Sequence, residues 1–98
     1  MVSADNVTLV DANTLDLGAS NVSGNYTVTA TAGNITDSGN LTVAGTSQFN
    51  ANGVGATITL NSAGNAFTGA VTFAGTGGLG NVTIVNNRAL VLGASTLS

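Results

Sequence analysis

The sequence predicts an all-β protein whose chain winds as a β-solenoid of about five short coils. Three observations lead to this prediction: a long internal repeat, apolar residues that alternate with polar ones, and short turns rich in Asn and Gly. Segment 6–23 recurs without gaps as segment 81–98, with 10 of 18 positions identical. A repeat array is therefore the first architecture to consider. We treat residues 1–98 as a single solenoid segment that contains one 75-residue unit, 6–80, and the start of the next unit, 81–98.

Short runs with apolar side chains at every second position recur along the chain. This period of two is typical of strands that bury one face, and the abundant β-branched residues suit such strands. Apolar residues at helical spacing do not persist over more than one turn. The predicted strands lie at 7–9, 15–17, 26–28, 41–43, 58–60, 71–73, 82–84 and 90–92.

The phase of each run predicts which side chains form the core. The residues expected to point inward are Leu9, Leu15, Leu17, Val28, Leu41, Val43, Ile58, Leu60, Phe67, Val71, Phe73, Val82, Ile84, Leu90 and Leu92. Among the four aromatic residues, we expect Phe49, Phe67 and Phe73 to fill the core. We expect Tyr26 to keep its hydroxyl at the surface, because a phenol joins an apolar ring to a polar end.

The segments between the strands consist mainly of Asn, Gly, Ser and Asp, which favour turns. The pattern Gly-Asn-apolar-Thr-apolar recurs at 24–28, 39–43 and 80–84 and predicts coils of about 15–19 residues. An antiparallel sandwich is the alternative that also uses many short strands. Its hairpins favour Asn-Gly turns, and this dipeptide occurs only at Asn52-Gly53. The long repeat favours the solenoid, in which equivalent residues stack on one another.

Composition narrows the classes of function. The chain has 98 residues, a net charge of −3, a single Lys or Arg, and no His, Cys or Pro. One cation argues against a nucleic-acid or anionic-membrane surface, because both need clustered Lys and Arg. No apolar run approaches the ~20 residues that cross a bilayer, so we expect no membrane insertion. The lack of cysteine excludes disulfides and thiolate metal sites.

Four stretches resemble a known family: LDLGAS at 15–20, GNYTVTATAGNITDSGNLTVAGT at 24–46, ITLNSAGNAFTGAV at 58–71 and GNVTIVNNRALVLGAS at 80–95. They are similar to the repeat region of filamentous haemagglutinin-like exoproteins, very large bacterial adhesins exported by two-partner secretion. The resemblance implies a right-handed parallel β-helix that forms a shaft outside the cell, and parallel crossovers in general prefer this hand. The chain has no proline and so lacks the Asn-Pro motifs of that family's secretion domain. The resemblance therefore covers the shaft, and it implies a secreted protein at the bacterial cell surface.

Catalysis is the function that the residues support least. The carboxylates are Asp5, Asp11, Asp16 and Asp37, and no His, Cys or Lys is present to activate a hydroxyl. We interpret these carboxylates as solvated turn and strand positions and predict no enzyme and no catalytic residue. Segment 77–81 has the glycines of calcium-binding solenoid repeats but lacks their Asp. We therefore expect no metal site and no cofactor.

Two recurring motifs have both a structural and a functional interpretation. Asn-x-Ser/Thr sequons could accept glycans, and stacked Thr-x-Thr motifs could bind ice. The sequons begin at Asn6, Asn21, Asn25, Asn34, Asn40 and Asn81, and the Thr-x-Thr motifs lie at 27–29, 29–31 and 57–59. Coil turns already require Asn before a strand and Thr within it, and the Thr-x-Thr motif is absent from 41–44 and 71–73. We expect a structural role for both motifs.

The expected function is that of a structural shaft segment in a secreted bacterial filamentous adhesin. Its expected partner is another copy of itself, stacked head to tail, because terminal coils expose unpaired strand edges and we see no capping sequence. A self-assembling fibre subunit whose role is polymerisation is the alternative, and a glycan- or ice-binding module is less favoured. A host receptor or glycan stays open as a further partner.

Overall fold

The computed structural model describes residues 3–75, 80–87 and 89–93, which form a parallel β-solenoid. This confirms the predicted fold class. The described residues contain strands and turns but no helix. The strands are β1 (Ser3–Ala4), β2 (Val7–Asp11), β3 (Leu15–Leu17), β4 (Ser20–Val22), β5 (Tyr26–Ala30), β6 (Ile35–Asp37), β7 (Leu41–Val43), β8 (Ser47–Ala51), β9 (Ile58–Leu60), β10 (Ala66–Phe67), β11 (Val71–Ala74) and β12 (Val82–Ile84).

Each coil gives one strand to each of three parallel sheets. Sheet A has the order β1-β4-β7-β10, sheet B has β2-β5-β8-β11, and sheet C has β3-β6-β9-β12. Coils 1 to 4 are therefore β1–β3, β4–β6, β7–β9 and β10–β12. A bridge between Val71 and Leu92 shows that residues 89–93 belong to a fifth coil. The prediction of about five coils agrees with this winding.

The coils are longer than the spacing of the Gly-Asn pattern predicts. Paired residues lie 18 positions apart at Ser3 and Asn21, and 24 positions apart at Ser47 and Val71. Each coil needs three strands and three corners to close, and several of these strands are too polar to stand out in the sequence. Strand β8, with the sequence SQFNA, is one of them. Its Ser47, Phe49 and Ala51 point inward.

The sequence repeat does not follow the winding of the coils. Val7 of the first copy lies in sheet B, where it pairs with Tyr26 of β5. Its counterpart Val82 lies in sheet C, where it pairs with Ile58 of β9. The spacing between the two copies is thus not a whole number of turns, and equivalent residues reach different faces.

The aromatic residues form one cluster inside the solenoid. The ring centroid of Phe49 lies 6.1 Å from that of Tyr26 and 6.0 Å from those of Phe67 and Phe73. This confirms the core positions of the three phenylalanines. The surface position expected for the Tyr26 hydroxyl is wrong, because the residue is fully buried and its hydroxyl lies 3.3 Å from the Ser20 hydroxyl. Burial raises the pKa of Tyr26, although the Ser20 hydrogen bond lowers it.

Most of the predicted core is confirmed. The buried members are Leu17, Val28, Leu41, Val43, Ile58, Leu60, Phe67, Val71 and Phe73. Leu9 and Leu15 of coil 1 and Val82 and Ile84 of coil 4 are partly buried against this core. The prediction is wrong for Leu90 and Leu92, which are 39% and 58% exposed. They lie on the fifth coil, and no further coil among the described residues covers them.

Polar side chains join successive coils at the corners. The Asn6 Oδ1 accepts a hydrogen bond from the Asn25 N–H at 2.9 Å, and the Asn25 Oδ1 accepts one from the Thr46 N–H at 3.1 Å. At the next corner, the Asn34 Oδ1 accepts from the Thr57 N–H at 2.8 Å. Each such bond satisfies a backbone donor that the turn would otherwise leave unpaired. The recurrent Asn thus links one coil to the next.

Glycine precedes the corner residues Asn25 and Asn34 because the backbones of successive coils approach closely there. A Cβ placed on Gly24 would lie against the Asn6 Oδ1 and 2.7 Å from the carbonyl oxygen of Asp5. No side chain fits this space without moving backbone. The Gly-Asn pattern in the sequence therefore reflects corner packing.

Candidate functional site at the solenoid ends

The four carboxylates are distributed over the solenoid and do not form one cluster. Asp11 ends β2 in sheet B, whereas Asp16 lies in β3 of sheet C. The Asp5 Oδ1 accepts a hydrogen bond from the Ser23 hydroxyl at 2.7 Å, and the Asp16 Oδ1 accepts one from the Thr36 hydroxyl at 3.2 Å. These two carboxylates accept hydrogen bonds from hydroxyl groups of the next coil.

Asp37 takes part in a partly buried network around Asn65, which the sequence did not single out. The Asn65 Nδ2 donates to the Asp37 Oδ2 at 2.8 Å and to the Leu60 carbonyl oxygen at 3.2 Å. The Asn65 Oδ1 accepts from the Leu41 N–H at 2.9 Å. Asn65 is fully buried, and its amide links Asp37 of coil 2 with Leu41 and Leu60 of coil 3. The pair Gly64-Asn65, which repeats the corner pattern, was the available signal.

The sequon asparagines at four positions accept hydrogen bonds from the following coil. Asn6, Asn25 and Asn34 do so at the corners described above, and the Asn40 Oδ1 accepts from the Gly64 N–H at 3.2 Å. Asn21 lies on an outward position of β4. These contacts support the structural interpretation of the motif.

The Thr-x-Thr motifs do not stack on one another. Thr27 and Thr29 pair with Gln48 and Asn50 on the following coil. In the third motif, Thr57 lies in a corner, whereas Thr59 lies in β9 of sheet C. In the glycine-rich segment considered for calcium, residues 77–79 lie outside the described residues.

The described residues contain neither a group of three or more potential metal-ligand side chains nor a helix able to cross a membrane. The two ends of the solenoid carry strands that pair with a described strand on one side only. At the N-terminal end, β2 and β3 pair with a described strand on one side only. Such one-sided strands offer N–H and C=O groups to a further strand.

The C-terminal end is partly closed. On sheet B, the Val71 N–H donates to the Val91 carbonyl oxygen, and the Val71 carbonyl oxygen accepts from the Gly93 N–H, both at 2.8 Å. On sheet A, the side chain of Asn86 makes the equivalent pair of bonds with Phe67. On sheet C, β12 has no described partner on its outer side.

Apolar side chains lie exposed around this C-terminal end. They are Val85, Leu90, Val91 and Leu92. Elsewhere, Val54 is 93% exposed next to Gly55, whose φ of 65° suits glycine. Val85 directly follows the one-sided strand β12, and Leu92 is bridged to Val71 of sheet B, so this end has both a strand edge and exposed apolar side chains.

Comparison with known proteins places the chain in a family without assigning it an activity. No curated protein and no solved structure matches the sequence significantly. Residues 4–74, which span coils 1 to 3 and most of coil 4, match a family described as Repeats of unknown function. This match fits a solenoid in which similar coils recur. The chain belongs to that family, DUF5649.

Proposed function

We propose that this chain is a non-catalytic structural segment of the shaft of a secreted bacterial filamentous adhesin. The observation that carries the proposal is the uniform interface between successive coils. All three sheets continue from coil to coil in parallel register, and corner side chains such as Asn25 and Asn34 bond to the next coil. An interface of this kind lets a body grow along one axis by adding coils.

The resemblance of segments 15–20, 24–46, 58–71 and 80–95 to filamentous haemagglutinin-like repeats supports the adhesin part of the proposal. The carboxylates support a structural role, because those of Asp5, Asp16 and Asp37 bond to polar groups at corners and between coils. A shaft of this kind projects a receptor-binding part that lies elsewhere. The proposed location is the bacterial cell surface.

Insertion of one coil tests the shaft role. Ser47 pairs with Val71, so duplication of residues 47–70 adds one whole coil in phase. We expect a folded protein with an unchanged circular dichroism signature and a maximum dimension longer by ~4.8 Å in small-angle X-ray scattering. The matched control duplicates residues 47–58 only, which brings sheet B strands onto the wrong face. If both insertions unfold the protein alike, coils are not interchangeable units and the shaft proposal fails.

Surface labelling tests the adhesin role. An antibody raised against the folded chain should stain intact bacteria that encode the sequence, and external protease should remove the signal. Staining that appears only after the cells are permeabilised would contradict a surface location. A cytoplasmic protein stained in parallel controls for leaky cells.

A second candidate role is a fibre subunit that polymerises. The one-sided strands β2 and β3 at one end and β12 at the other favour it, because each can accept a parallel strand from another molecule. Sedimentation velocity at micromolar concentrations and negative-stain microscopy test this role. Filaments with a cross-strand spacing of ~4.8 Å along the axis are expected. A monomer at every concentration would exclude polymerisation and leave the shaft role.

A further inference from the structure

The corner between β8 and β9, residues 52–57, is the longest corner of coils 1 to 3. The equivalent corners between sheets B and C are residues 12–14 in coil 1 and 31–34 in coil 2. Insertions in solenoid repeats map to loops of this kind, and exposed loop tips are the preferred sites of proteolytic cleavage.

Hydrogen bonds to coil 2 fix both ends of this corner. The Asn52 N–H donates to the Ala30 carbonyl oxygen at 2.9 Å, and the Thr57 N–H donates to the Asn34 Oδ1 at 2.8 Å. The segment between these two points forms a tight turn, which the Ala56 N–H closes by donating to the Gly53 carbonyl oxygen at 3.2 Å.

Val54 and Gly55 form the tip of this turn. The φ of Gly55 is 65°, and a positive φ at this position is typical of a type II turn. Val54 is 93% exposed, and a Cβ placed on Gly55 would have no atom within 4 Å. The peptide bond between them therefore stands clear of the neighbouring coils.

The side chains of the corner restrict which class of endopeptidase could cut it. Residues 52–57 contain no charged and no aromatic residue, so an enzyme that requires either before the cut finds none. Elastase-type serine endopeptidases have a small specificity pocket that accepts a short aliphatic side chain. Val54 presents such a side chain. Val10 is also exposed, but it lies within β2, where all five residues pair with β5.

We propose that the Val54–Gly55 peptide bond is a site of limited proteolysis by an endopeptidase that accepts a small aliphatic side chain. Hydrolysis adds one water across this bond. The Val54 carbonyl becomes a carboxylate, and the Gly55 nitrogen leaves as an amine.

The cut separates β1–β8 from β9–β12, yet each sheet pairs strands from both fragments. These pairs are β7 with β10 in sheet A, β8 with β11 in sheet B, and β6 with β9 in sheet C. The cleaved protein should therefore stay assembled as a two-chain solenoid.

Digestion of the folded chain with pancreatic elastase tests the site. Mass spectrometry follows the fragment 1–54, and size-exclusion chromatography follows the assembly. Val54→Ala should keep the cut, whereas Val54→Asp should slow it by about 10-fold or more, because the specificity pocket would have to bury a charge. Val10→Asp is the matched control at an exposed valine within a strand and should be cut at Val54 like the wild type. Circular dichroism establishes that each variant is folded.

Leu17→Ala separates cleavage of the folded corner from cleavage of unfolded chain. It removes a buried side chain far from the corner in sequence, so it raises the unfolded population. The rate of the Val54 cut should stay within about 2-fold of the wild-type rate if the folded corner is the substrate.

A faster cut in Leu17→Ala, an equal rate in Val54→Asp and the wild type, or no fragment 1–54 would each overturn the site. Co-elution of the two fragments in native buffer, with separation in urea, would support the two-chain solenoid. Their separation in native buffer would refute the assembly.

Discussion

The two copies of the internal repeat have similar sequences and different environments. Leu17 of the first copy is 2% exposed, whereas its counterpart Leu92 is 58% exposed. Val7 is buried in sheet B, and its counterpart Val82 is partly buried in sheet C. Local sequence is therefore not what decides the burial of these residues.

The two leucines differ in how completely their own coil is formed. Leu17 lies in β3, and all three residues of this strand pair with β6 of coil 2. Leu92 makes a single described bridge, to Val71 on coil 4. Both residues lie on an end coil, but coil 1 places the three strands β1–β3 around the core, whereas the described residues after β12 form no further named strand. An apolar residue of an end coil is therefore buried where its own coil encloses the core.

Truncation of these two leucines is the strongest test of the comparison. Leu17→Ala should lower the free energy of unfolding by about 2–5 kcal/mol, because it removes buried methyl groups and leaves a cavity. Leu92→Ala should change it by less than about 0.5 kcal/mol, as expected for an exposed position. Urea unfolding monitored by circular dichroism measures both values. Equal losses at the two positions would show that Leu92 is also covered and that the copies are equivalent.

Asn65 connects the second copy to the inner coils, since its carbonyl oxygen accepts the Asn87 N–H. Asn65→Ala should lower the free energy of unfolding by about 1–3 kcal/mol, because the buried Leu41 N–H loses its hydrogen-bond acceptor. Asn40→Ala is the control at an exposed corner, where the single described bond of the side chain joins the Gly64 N–H. Its cost should be less than about 0.5 kcal/mol. Similar unfolding midpoints for the two variants would mean that burial of the corner amide is unimportant.

Tyr26 of β5 pairs with Val7 of the first copy, so its titration reports the packing of coils 1 and 2. Burial holds the pKa of the folded Tyr26 hydroxyl above its ordinary value of 10.0. Above that pH the unfolded chain loses a proton that the folded chain keeps, so the free energy of unfolding should fall as pH rises. Urea unfolding at about pH 9 and about pH 11 measures this fall. Tyr26→Phe should lack this contribution; an identical pH dependence in both proteins would place the hydroxyl in water.

Substitution of two inward serines should give the smallest difference in the free energy of unfolding. The Ser47 hydroxyl is buried and has no hydrogen-bond partner among the described residues. Ser47→Ala should therefore leave the free energy of unfolding unchanged or raise it by up to about 1 kcal/mol. The Ser20 hydroxyl, by contrast, lies 3.3 Å from that of Tyr26, and Ser20→Ala should cost about 1 kcal/mol. Thermal unfolding followed by circular dichroism would distinguish the two changes in stability. A clear loss of stability in Ser47→Ala would indicate a hydrogen-bond partner for the Ser47 hydroxyl.

Local patterns in the sequence specify the fold class and the inner face of most strands. Alternation of apolar and polar residues requires strands, and runs such as 41–43 and 58–60 show which side chains turn inward. Recurrent Gly-Asn pairs marked the corners, because close backbone approach needs Gly and the corner donors need an acceptor. These features are local, so they can be recognised in the sequence without knowledge of the contacts between coils.

The coil length, the face that each strand joins and the environment of the end residues depend on how the coils stack. These depend on hydrogen bonds between residues 18 to 24 positions apart, and no local pattern specifies that register. The burial of Tyr26 and Asn65 and the exposure of Leu90 and Leu92 follow from which coil lies above each residue. Asn86 likewise gains its partner Phe67 only when coil 4 is in place. The alternation of apolar and polar residues determines which side of a strand is apolar. The stacking of coils determines whether that side is buried.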